Sequence, residues 1–381
     1  MSERTAKSRK PDRAETLVST YEQLGYARVS PPMLQPAEPI LDLSGEDIRR
    51  RLYLTTDAKG REFCLRPDLT IPVACDYLSS PAAGEPTGFC YLGPVFRQWG
   101  ETAGEFLQAG IESFGRRDIA AADAEMLALA LDASAAYGLP APDIRTGDVA
   151  LFAQLVAALD LAPAWKRRLV KDFNRKANLA QDLDRLVVQA ARSRPEYQGV
   201  LTALAGSDPQ GAHALVTDLL SIAGISTVGG RTVDEIADRF LEQAALGAGS
   251  GLPREMRAVI ERFLAISGDP DASAAALRAL AADAKLDLAA ALDLFESRTG
   301  FLAARGIDVA AIRFSTAFGR GLDYYTGFVF ELHDPQARVT GSLIGGGRYD
   351  GLLTRLGAVE PIPAVGFAVW IDQLMALGDT P

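Results

Sequence analysis

The order in which local sequence patterns follow one another limits the possible folds of this 381-residue chain most strongly. Short alternating segments typical of strands occur in residues 1–147, Ala- and Leu-rich helical patterns occur in 148–309, and strand-like segments return in 310–381. We therefore predict an α+β fold in which the two strand-containing parts form one core and residues 148–309 are a mainly helical insertion.

The patterns also predict individual elements. Within the insertion, Met256, Val259, Ile260 and Phe263 recur at three- and four-residue spacing, which indicates an amphipathic helix. The other predicted elements are helices at 14–24, 71–78 and 119–137, a hairpin of 51–55 and 62–65, strands at 26–29, 89–92, 95–97, 106–114, 311–314, 328–332 and 343–344, and a last helix that starts near Ile371.

Composition excludes several classes of function. The chain contains 48% hydrophobic residues but no apolar run of about 18 residues, so we expect a sizeable core and no membrane span. The polar, basic segment from Met1 to Arg13 does not resemble a signal peptide. Cys64, Cys75 and Cys90 lack metal-ligand spacing, which predicts reduced thiols, a cytoplasmic location and no metal site.

The charge of the chain does not favour tRNA as a partner. A protein that binds tRNA must neutralise phosphates and usually has a basic face, whereas this chain has a net charge of -10. The most basic run lies between Trp165 and Lys176, and we predict a solvated helix face there. Contact with an acidic protein partner is the alternative for this run.

Four polar segments are candidates for a ligand site, and the first is Arg66–Thr70. This segment opens a predicted helix, where Asp68 can act as a cap and Thr70 lies in the first turn. Ordinary helix capping is therefore the alternative to a ligand role.

The second segment is the strand that contains Gln108, Gly110 and Glu112. Residues two apart share one face of a strand, so these three side chains point the same way. A glutamine and a carboxylate on one face suit a ligand with a cationic group. An outward polar face of a half-exposed strand is the alternative.

The third and fourth segments are Arg320–Gly327 and Gly345–Gly351. Arg320 can pair with a carboxylate through two hydrogen bonds, and Tyr324 and Tyr325 can line a small polar pocket. The glycines of the fourth segment let the backbone approach a ligand closely, and a sharp connection between strands is the alternative.

The two histidines, His213 and His333, have no neighbouring Ser, Cys or ligand cluster in the sequence. We predict structural roles for both and no catalytic residues in this chain.

Taken together, these motifs resemble those of the histidine-binding branch of the class II aminoacyl-tRNA synthetases. The resemblance spans most of residues 14–145 and 310–375, and it implies an antiparallel sheet flanked by helices. Tyr26–Pro32 matches the end of the first signature, which forms the dimer interface in that family, and Arg66–Thr70 matches its Arg-Pro-Glu-x-Thr motif. Gly93–Arg97 begins the second signature and Gln108–Glu112 closes it. The other matching segments are Arg320–Gly327 for the histidine-specific motif, Gly345–Gly351 for a glycine-rich motif, and Gly366–Leu374 for the third signature.

The resemblance also implies a histidine site, because the matching segments line the amino-acid pocket in that family. By position, Asp68 and Glu112 would face the ammonium or imidazole group, and Gln108 would face the amine. Arg320 would face the carboxylate or the imidazole edge, and Arg97 is ambiguous because in synthetases it also contacts the reacting carboxylate and phosphate. The implied histidine-binding residues are Asp68, Leu69, Thr70, Arg97, Gln108, Glu112, Arg320, Tyr324 and Tyr325.

The departures from the family argue against nucleotide chemistry. Trp370, Asp372 and Gln373 stand where the third signature has glycine, glutamate and an arginine that stacks on ATP. The short loop after Arg97 carries Glu101 and Glu105, where the synthetases have basic residues that contact ATP and the tRNA end. Like charges repel each other, and two charges 4 Å apart interact by about 4 kcal/mol at an effective dielectric constant near 20. The two glutamates therefore oppose the binding of a triphosphate. The chain ends soon after the third signature, so we expect no anticodon-binding domain.

This combination is similar to the paralogues of the family that regulate a short-form ATP phosphoribosyltransferase catalytic subunit. It implies no catalysis and no cofactor, activation of that partner, and feedback inhibition of histidine biosynthesis by L-histidine. It also implies a homodimer within a hetero-oligomer, with no tRNA and no membrane. Two rivals remain: a truncated synthetase-like ligase that passes an amino acid to a non-tRNA acceptor, and an interaction protein whose pocket binds nothing.

Overall fold

The structure is a computed structural model that describes residues 2–43, 48–98, 104–191, 252–322 and 324–378, together with residues 213, 214, 217, 218 and 222. The chain divides into two compact units. Unit 1 comprises residues 1–151, 264–283 and 288–381, and unit 2 comprises 152–263 and 284–287. Unit 2 lies inside the range predicted as a helical insertion. The division into 1–147, 148–309 and 310–381 stays a prediction.

The described strands are short except in the centre of unit 1. In chain order they are β1 Ala27–Arg28, β2 Leu34–Pro36, β3 Leu54–Thr56, β4 Glu62–Leu65, β5 Thr87–Phe96, β6 Glu105–Phe114, β7 Asp143–Asp148, β8 Ser267–Gly268, β9 Arg313–Ser315, β10 Phe328–His333, β11 Ile344–Arg348 and β12 Ala364–Trp370.

Nine of these strands form one sheet in the order β1–β5–β6–β12–β11–β10–β7–β9–β8. Only the pairs β1–β5 and β7–β9 are parallel within this sheet. A second sheet has the order β2–β4–β3. The mostly antiparallel sheet brings β6, from the first half of the chain, directly beside β12, from its end.

Helices flank the sheet in unit 1, and the described residues of unit 2 are also mainly helical. The described helices are α1 Ser2–Gln23, α2 Ala37–Leu43, α3 Thr70–Leu78, α4 Ile119–Ala136, α5 Val149–Ala158, α6 Pro163–Lys171, α7 Lys176–Ala191, α8 Arg254–Leu264, α9 Pro270–Ala284, α10 Ala289–Ala304, α11 Gly351–Arg355 and α12 Ile371–Gly378, with a single 3-10 turn at Val309–Ala311. The prediction of a mixed fold with a large sheet flanked by helices is confirmed.

Several local predictions are confirmed. The hairpin exists as β3 and β4, with Leu54 opposite Cys64 in an antiparallel register. The amphipathic pattern of the insertion is helix α8, whose Val259, Ile260 and Phe263 are buried. The segments predicted as strands at 89–92 and 95–97 are one continuous strand, β5, which runs through Pro94 because it pairs with the full length of β6.

Four of the described strands were not predicted: the short strands β2 and β8, and the longer strands β7 and β12. The sequence of β12, Ala364–Trp370, is apolar on both faces because the strand lies in the middle of the sheet, so it lacks the alternation that marks a half-exposed strand. The sequence of β7 contains two aspartates, an arginine and a glycine. Its strand conformation follows from pairing with β10 on one side and β9 on the other.

The two faces of the large sheet are covered by different apolar clusters. One cluster includes residues of α1 and α4, such as Val18 and Met126, together with Phe367. The other includes Tyr77 of α3 and Leu352 of α11. Because side chains alternate along β6, its even-numbered residues from 108 to 112 face the side of the sheet that carries the second cluster.

Unit 2 has its own small core. The rings of Phe152 and Phe173 lie 4.8 Å apart between centroids, and the ring of Phe263 lies 6.1 Å from that of Phe152. Arg168 of α6 donates to Asp182 of α7 at 2.5 Å. In the basic run of α6, Arg167 and Lys171 are exposed, as expected for a solvated helix face.

None of the described helices is long and apolar enough to cross a bilayer. In the ranges that the structure covers, no three His, Cys, Asp or Glu side chains are close enough to hold a metal ion. Cys64, Cys75 and Cys90 are free thiols, and Cys64 and Cys90 are buried.

Candidate functional site

A polar cavity of about 210 Å³ lies in unit 1, on the side of the large sheet that carries α3 and α11. Eight of the nine predicted site residues line it, although they come from four separate segments of the chain. The lining residues are Ile48, Arg51, Asp68, Thr70, Arg97, Gln108, Glu112, Arg320, Gly321, Leu322, Tyr324, Tyr325, Glu331, Gly345, Tyr349, Gly366, Phe367, Ala368 and Trp370.

The ninth predicted residue, Leu69, has a different place. Its side chain is buried in the apolar cluster under α3 and does not line the cavity. Its backbone N–H donates to Oε1 of Gln108 at 3.0 Å. Leu69 therefore orients the Gln108 amide through its backbone.

Gln108 and Glu112 of β6 are buried, so the alternative of an outward polar face is wrong for this strand. The sequence could not decide this point, because alternation shows which residues share a face but not which face is covered. The carboxylate of Glu112 accepts hydrogen bonds from Thr70 at 2.7 Å and Tyr91 at 3.1 Å, and also from the hydroxyl of Tyr349.

Burial raises the pKa of Glu112 to about 7, although the hydroxyls of Tyr349, Thr70 and Tyr91 stabilise its charged form. The group therefore titrates near neutral pH. The backbone beside it leaves no room for a side chain, because a Cβ at Gly366 would overlap the Glu112 carboxylate. Steric hindrance by Glu112 therefore explains why a glycine stands at the first position of the third signature.

Asp68 lies just before α3 and is almost fully buried. Its Oδ1 accepts from the N–H of Ile71 at 3.3 Å, which is a weak capping contact. Its Oδ2 is buried and has no hydrogen-bond partner. Burial raises the pKa of Asp68 more than the nearby charge of Arg97 lowers it. A carboxylate oxygen without a partner in a cavity wall suits a cationic ligand.

Arg97 follows β5 and lies beside Trp370, the last residue of β12. Its Nε donates to the carbonyl of Pro67 at 2.7 Å. Its guanidinium carbon is 4.9 Å from the centroid of the Trp370 ring. Burial lowers the pKa of Arg97 and the charge of Asp68 opposes this effect, so Arg97 is a half-buried, partly desolvated cation in the cavity wall.

Arg320 lies between β9 and β10, where it is held by two other lining residues. It donates from Nη1 to the hydroxyl of Tyr325 at 2.6 Å and from Nε to Glu331 at 3.2 Å. His333 contacts the second oxygen of Glu331 at 3.0 Å. Burial would raise the pKa of Glu331, but the hydrogen bond from His333 and the charge of Arg320 hold that pKa below its usual value.

Tyr324 and Tyr325 form an aromatic wall together with Tyr349. The ring centroids of Tyr324 and Tyr325 are 4.8 Å apart, and that of Tyr349 is 5.7 Å from Tyr324. Burial raises the pKa of Tyr324 far above its ordinary value, so the hydroxyl stays protonated and can donate. Asp323 of the same motif lies outside the described residues.

The remaining positions of the third signature support the local packing. Asp372 accepts a hydrogen bond from the N–H of Leu107 at 2.7 Å. The buried Oε1 of Gln373 has no hydrogen-bond partner. Glu105 begins β6 and is exposed, whereas Glu101 lies in residues 99–103, outside the described part of the chain.

The predicted site residues did not include Tyr349, Glu331 and Trp370, which are among the side chains that line the cavity. Tyr349 lies in the glycine-rich motif, whose tyrosine was a signal for a buried hydroxyl. Glu331 is a carboxylate in the middle of the apolar strand Phe328–His333, which is itself unusual. Nothing local indicates that Trp370 contacts Arg97, because this contact depends on the pairing of distant strands.

A buried ionic network lies on the other face of the large sheet, the face that carries α4. Arg298 of α10 donates to Asp123 of α4 at 2.9 Å and also to Asp148 at the end of β7. Arg348, the residue before Tyr349, donates to the other oxygen of Asp123 at 2.8 Å. The network therefore joins α4, α10 and β11, and the residue that follows Arg348, Tyr349, lines the cavity on the opposite face.

The cavity thus presents separated groups of both charges. Asp68, Glu112 and Glu331 are its carboxyl groups, and Arg97 and Arg320 are among its cations. Such a set can hold a small zwitterion, with the carboxyl groups facing an ammonium and an arginine facing a carboxylate. The volume lies below the roughly 300–1,000 Å³ of pockets for drug-sized ligands, so a single amino acid fits better than a nucleotide.

The sequence shows which known proteins this chain is similar to. Residues 3–230 and 210–374 match the sequence model of the family described as histidyl-tRNA synthetase. The chain is 45% identical over 348 residues to an ATP phosphoribosyltransferase regulatory subunit of Brucella canis, and the match covers 91% of this chain and 92% of the relative. The protein of the same description from Brucella suis matches with the same identity and coverage.

Solved structures agree with the fold. An ATP phosphoribosyltransferase regulatory subunit/histidyl-tRNA synthetase from Bacillus halodurans superimposes with a TM-score of 0.64 at 23% identity, over 98% of this chain and 79% of that chain. A histidine–tRNA ligase subunit from Alicyclobacillus acidocaldarius has a TM-score of 0.59 at 26% identity, over 98% of this chain and 93% of that chain.

Proposed function

This chain belongs to the histidyl-tRNA synthetase-like family that includes the ATP phosphoribosyltransferase regulatory subunits, and on this basis we propose that it activates a short-form ATP phosphoribosyltransferase catalytic subunit and confers feedback inhibition by L-histidine. The 45% identity over nearly the whole length of both chains carries the regulatory assignment. The chain itself is a non-catalytic subunit of ATP phosphoribosyltransferase, the enzyme of the first step of histidine biosynthesis.

The cavity supports L-histidine as the effector. The unpartnered Oδ2 of Asp68 and the carboxyl group of Glu112 suit the ammonium or the imidazole of histidine. Arg97 suits the carboxylate, because its side chain lines the cavity and is partly desolvated. The histidine-binding residues proposed here are Asp68, Thr70, Arg97, Gln108, Glu112, Arg320, Tyr324 and Tyr325, with Leu69 acting through its backbone contact to Gln108.

Regulation requires that histidine favours one arrangement of the assembly over another. Couplings between two sites typically amount to about 1–3 kcal/mol, or roughly 5- to 150-fold in affinity. The network of Arg348, Asp123 and Arg298 offers a physical connection between the cavity wall and helix α10. It is a candidate for the element that responds to the effector.

We also propose that the chain forms a homodimer inside the hetero-oligomer. The edge strand β1 lies in the first signature, and Leu24, Met33 and Leu34 nearby are 57%, 52% and 48% exposed. Exposed apolar side chains of this kind are typical of a contact surface. Replacement of Leu34 by Asp is expected to shift the chain towards the monomer in analytical ultracentrifugation, and an unchanged sedimentation coefficient would contradict this interface.

The buried thiols of Cys64 and Cys90 fit a cytoplasmic location, which we propose on that ground. Neither tRNA nor a membrane is a proposed partner.

Co-purification tests the assignment. A tagged short-form catalytic subunit is expected to retain the chain on an affinity column, and the eluted complex is expected to bind L-histidine in isothermal titration calorimetry. The rival ligase predicts something different, namely histidine-dependent exchange of pyrophosphate into ATP by the purified chain alone. The rival interaction protein predicts a complex that gives no heat with histidine.

A further inference from the structure

Trp370, the last residue of β12, lines the cavity with its side chain. Its backbone lies opposite Gln108 in the sheet, and its N–H donates to the carbonyl of Leu343 at 3.0 Å. The indole packs edge-on against Phe106, with centroids 6.2 Å apart and planes at 87°. The ring is therefore fixed by contacts outside the cavity while it also lines the cavity.

The same ring holds Arg97. The guanidinium carbon lies 4.9 Å from the ring centroid, inside the range of a cation–π contact, and Nε is fixed by the carbonyl of Pro67. The backbone N–H of Arg97 donates to the carbonyl of Gly104 at 2.8 Å, which ties its backbone to the residue just before β6. The guanidinium is thus held by an aromatic face and by a carbonyl at the same time.

We infer that Trp370 is a positioning and specificity-determining residue of the effector site, which fixes Arg97 for a free α-carboxylate and excludes amino acids whose carboxyl group is esterified or joined to a nucleotide. This inference rests on the proposed function, because it describes the ligand chemistry of the same cavity. It adds that the effector must carry an unmodified carboxylate, and it names the residue that imposes the requirement.

Two physical effects support this role. A desolvated cation–π contact contributes more than an exposed one, and Trp is the most favourable aromatic partner for it. An arginine that is held in one orientation also loses less conformational entropy when it binds a carboxylate. Moreover, the indole occupies part of the wall of a cavity of only about 210 Å³, so a larger group on the carboxyl carbon would meet the ring.

The test compares two ligands on the assembled complex of this chain with the catalytic subunit. Dissociation constants for L-histidine and for L-histidine methyl ester are measured by calorimetry for the wild type and for Trp370→Leu, Trp370→Met and Trp370→Phe. Thermal unfolding identifies the variants that keep the wild-type stability. Two non-aromatic variants are used so that a folding defect in one of them does not remove the test.

The expected result is a change in the ratio of the affinities for L-histidine and its methyl ester. In Trp370→Leu and Trp370→Met, histidine binding weakens by about 5- to 30-fold, the range that a cation–π contact of roughly 1–2 kcal/mol represents, while ester binding stays the same or improves. Trp370→Phe restores most of the wild-type ratio because it keeps an aromatic face. If Trp370 only stabilised the fold, its replacement would weaken the binding of both ligands equally.

The outcomes separate the inference from the proposed function. If wild-type complex binds histidine but folded Trp370→Leu and Trp370→Met keep the wild-type ratio of the two affinities, the role of Trp370 is overturned and the effector site stands. Equal loss of both ligands in these variants also overturns the role of Trp370. If the wild-type complex binds neither ligand, the effector site and this inference both fail.

Discussion

The guanidinium of Arg97 lies over the indole ring of Trp370, with its central carbon 4.9 Å from the ring centroid. In the synthetases that this chain resembles, a glycine stands at the position of Trp370 and an arginine stands at that of Gln373. Here the ring lines the small cavity, and the side-chain oxygen of Gln373 is buried without a partner. The contact therefore adds a wall where a nucleotide would need space, and it leaves a site for a smaller ligand.

The first prediction concerns this wall. The double variant Trp370→Gly, Gln373→Arg restores the two signature residues, but we expect it not to exchange pyrophosphate into ATP with histidine present. Glu101 and Glu105 follow Arg97 in the sequence where the synthetases carry basic residues, and we expect their negative charge to repel a triphosphate. The assay measures labelled ATP for the variant beside the wild type. Exchange above the wild-type background would show that these two positions alone had removed the activity.

The second prediction concerns the pH dependence of stability. Burial raises the pKa of Glu112 from 4.5 to about 7, so ionisation is less favourable in the folded chain than in the unfolded one. The protonated carboxyl group of Glu112 therefore contributes to the free energy of unfolding. This contribution is fully present below about pH 4.5 and is lost as the pH rises through about 7. The shift corresponds to about 3 kcal/mol in the free energy of unfolding.

Glu112→Gln isolates this effect, because glutamine does not titrate at that position. We expect the free energy of unfolding of the wild type, relative to Glu112→Gln, to fall by about 3 kcal/mol between pH 4.5 and pH 8. Urea unfolding of both proteins at a series of pH values measures the difference. A difference that stays constant over this range would mean that Glu112 keeps an ordinary pKa.

The third prediction concerns Arg320. Arg320→Ala removes the donor to Tyr325 and Glu331, and we expect it to weaken inhibition of the complex by histidine about tenfold or more, while the complex still assembles. Glu112→Ala is expected to act in the same direction. Inhibition curves and gel filtration of the complex measure the two properties separately.

Arg278→Ala is the matched control for Arg320. Like Arg320, Arg278 is held by two side chains, here the carboxylates of Asp293 and Glu296, but it lies on an exposed helix surface and does not line the cavity. We expect it to change neither inhibition nor assembly. If complexes that contain Arg320→Ala or Glu112→Ala are both inhibited by histidine as strongly as the wild-type complex, histidine binds at another site.

Some of this site could be predicted from the sequence, because its motifs are local. The common face of Gln108 and Glu112 follows from strand periodicity, and the structure places both side chains in the cavity wall. The burial of that face could not be predicted, since it is covered by Thr70 and Tyr349 from distant segments. The strand β12 was missed for a related reason: a central strand that is apolar on both faces shows no alternation.

The partners of Arg97 and Arg320 could not be predicted either. The sequence indicated that both arginines face a ligand, but it did not show that Trp370 and Glu331 hold them. These contacts depend on which strands become neighbours in the sheet, and only the strand order of the folded chain provides that information.

The fourth prediction concerns the buried ionic network. Arg298→Met removes the cation between Asp123 and Asp148, which are both buried. Breaking a buried pair from one side leaves an uncompensated charge, so we expect a loss of about 3–5 kcal/mol in the free energy of unfolding. Denaturant unfolding measures this loss, and Arg278→Met serves as the exposed control with little expected change. A stability of Arg298→Met equal to that of the wild type would show that the network contributes nothing to the fold.

The most direct test of the regulatory role is an assay of phosphoribosyl transfer by a short-form catalytic subunit. We predict that addition of this chain raises the rate several-fold or more, and that L-histidine then lowers the rate in a saturable way that requires the chain. A catalytic subunit whose rate and histidine response are the same with and without the chain would contradict the account.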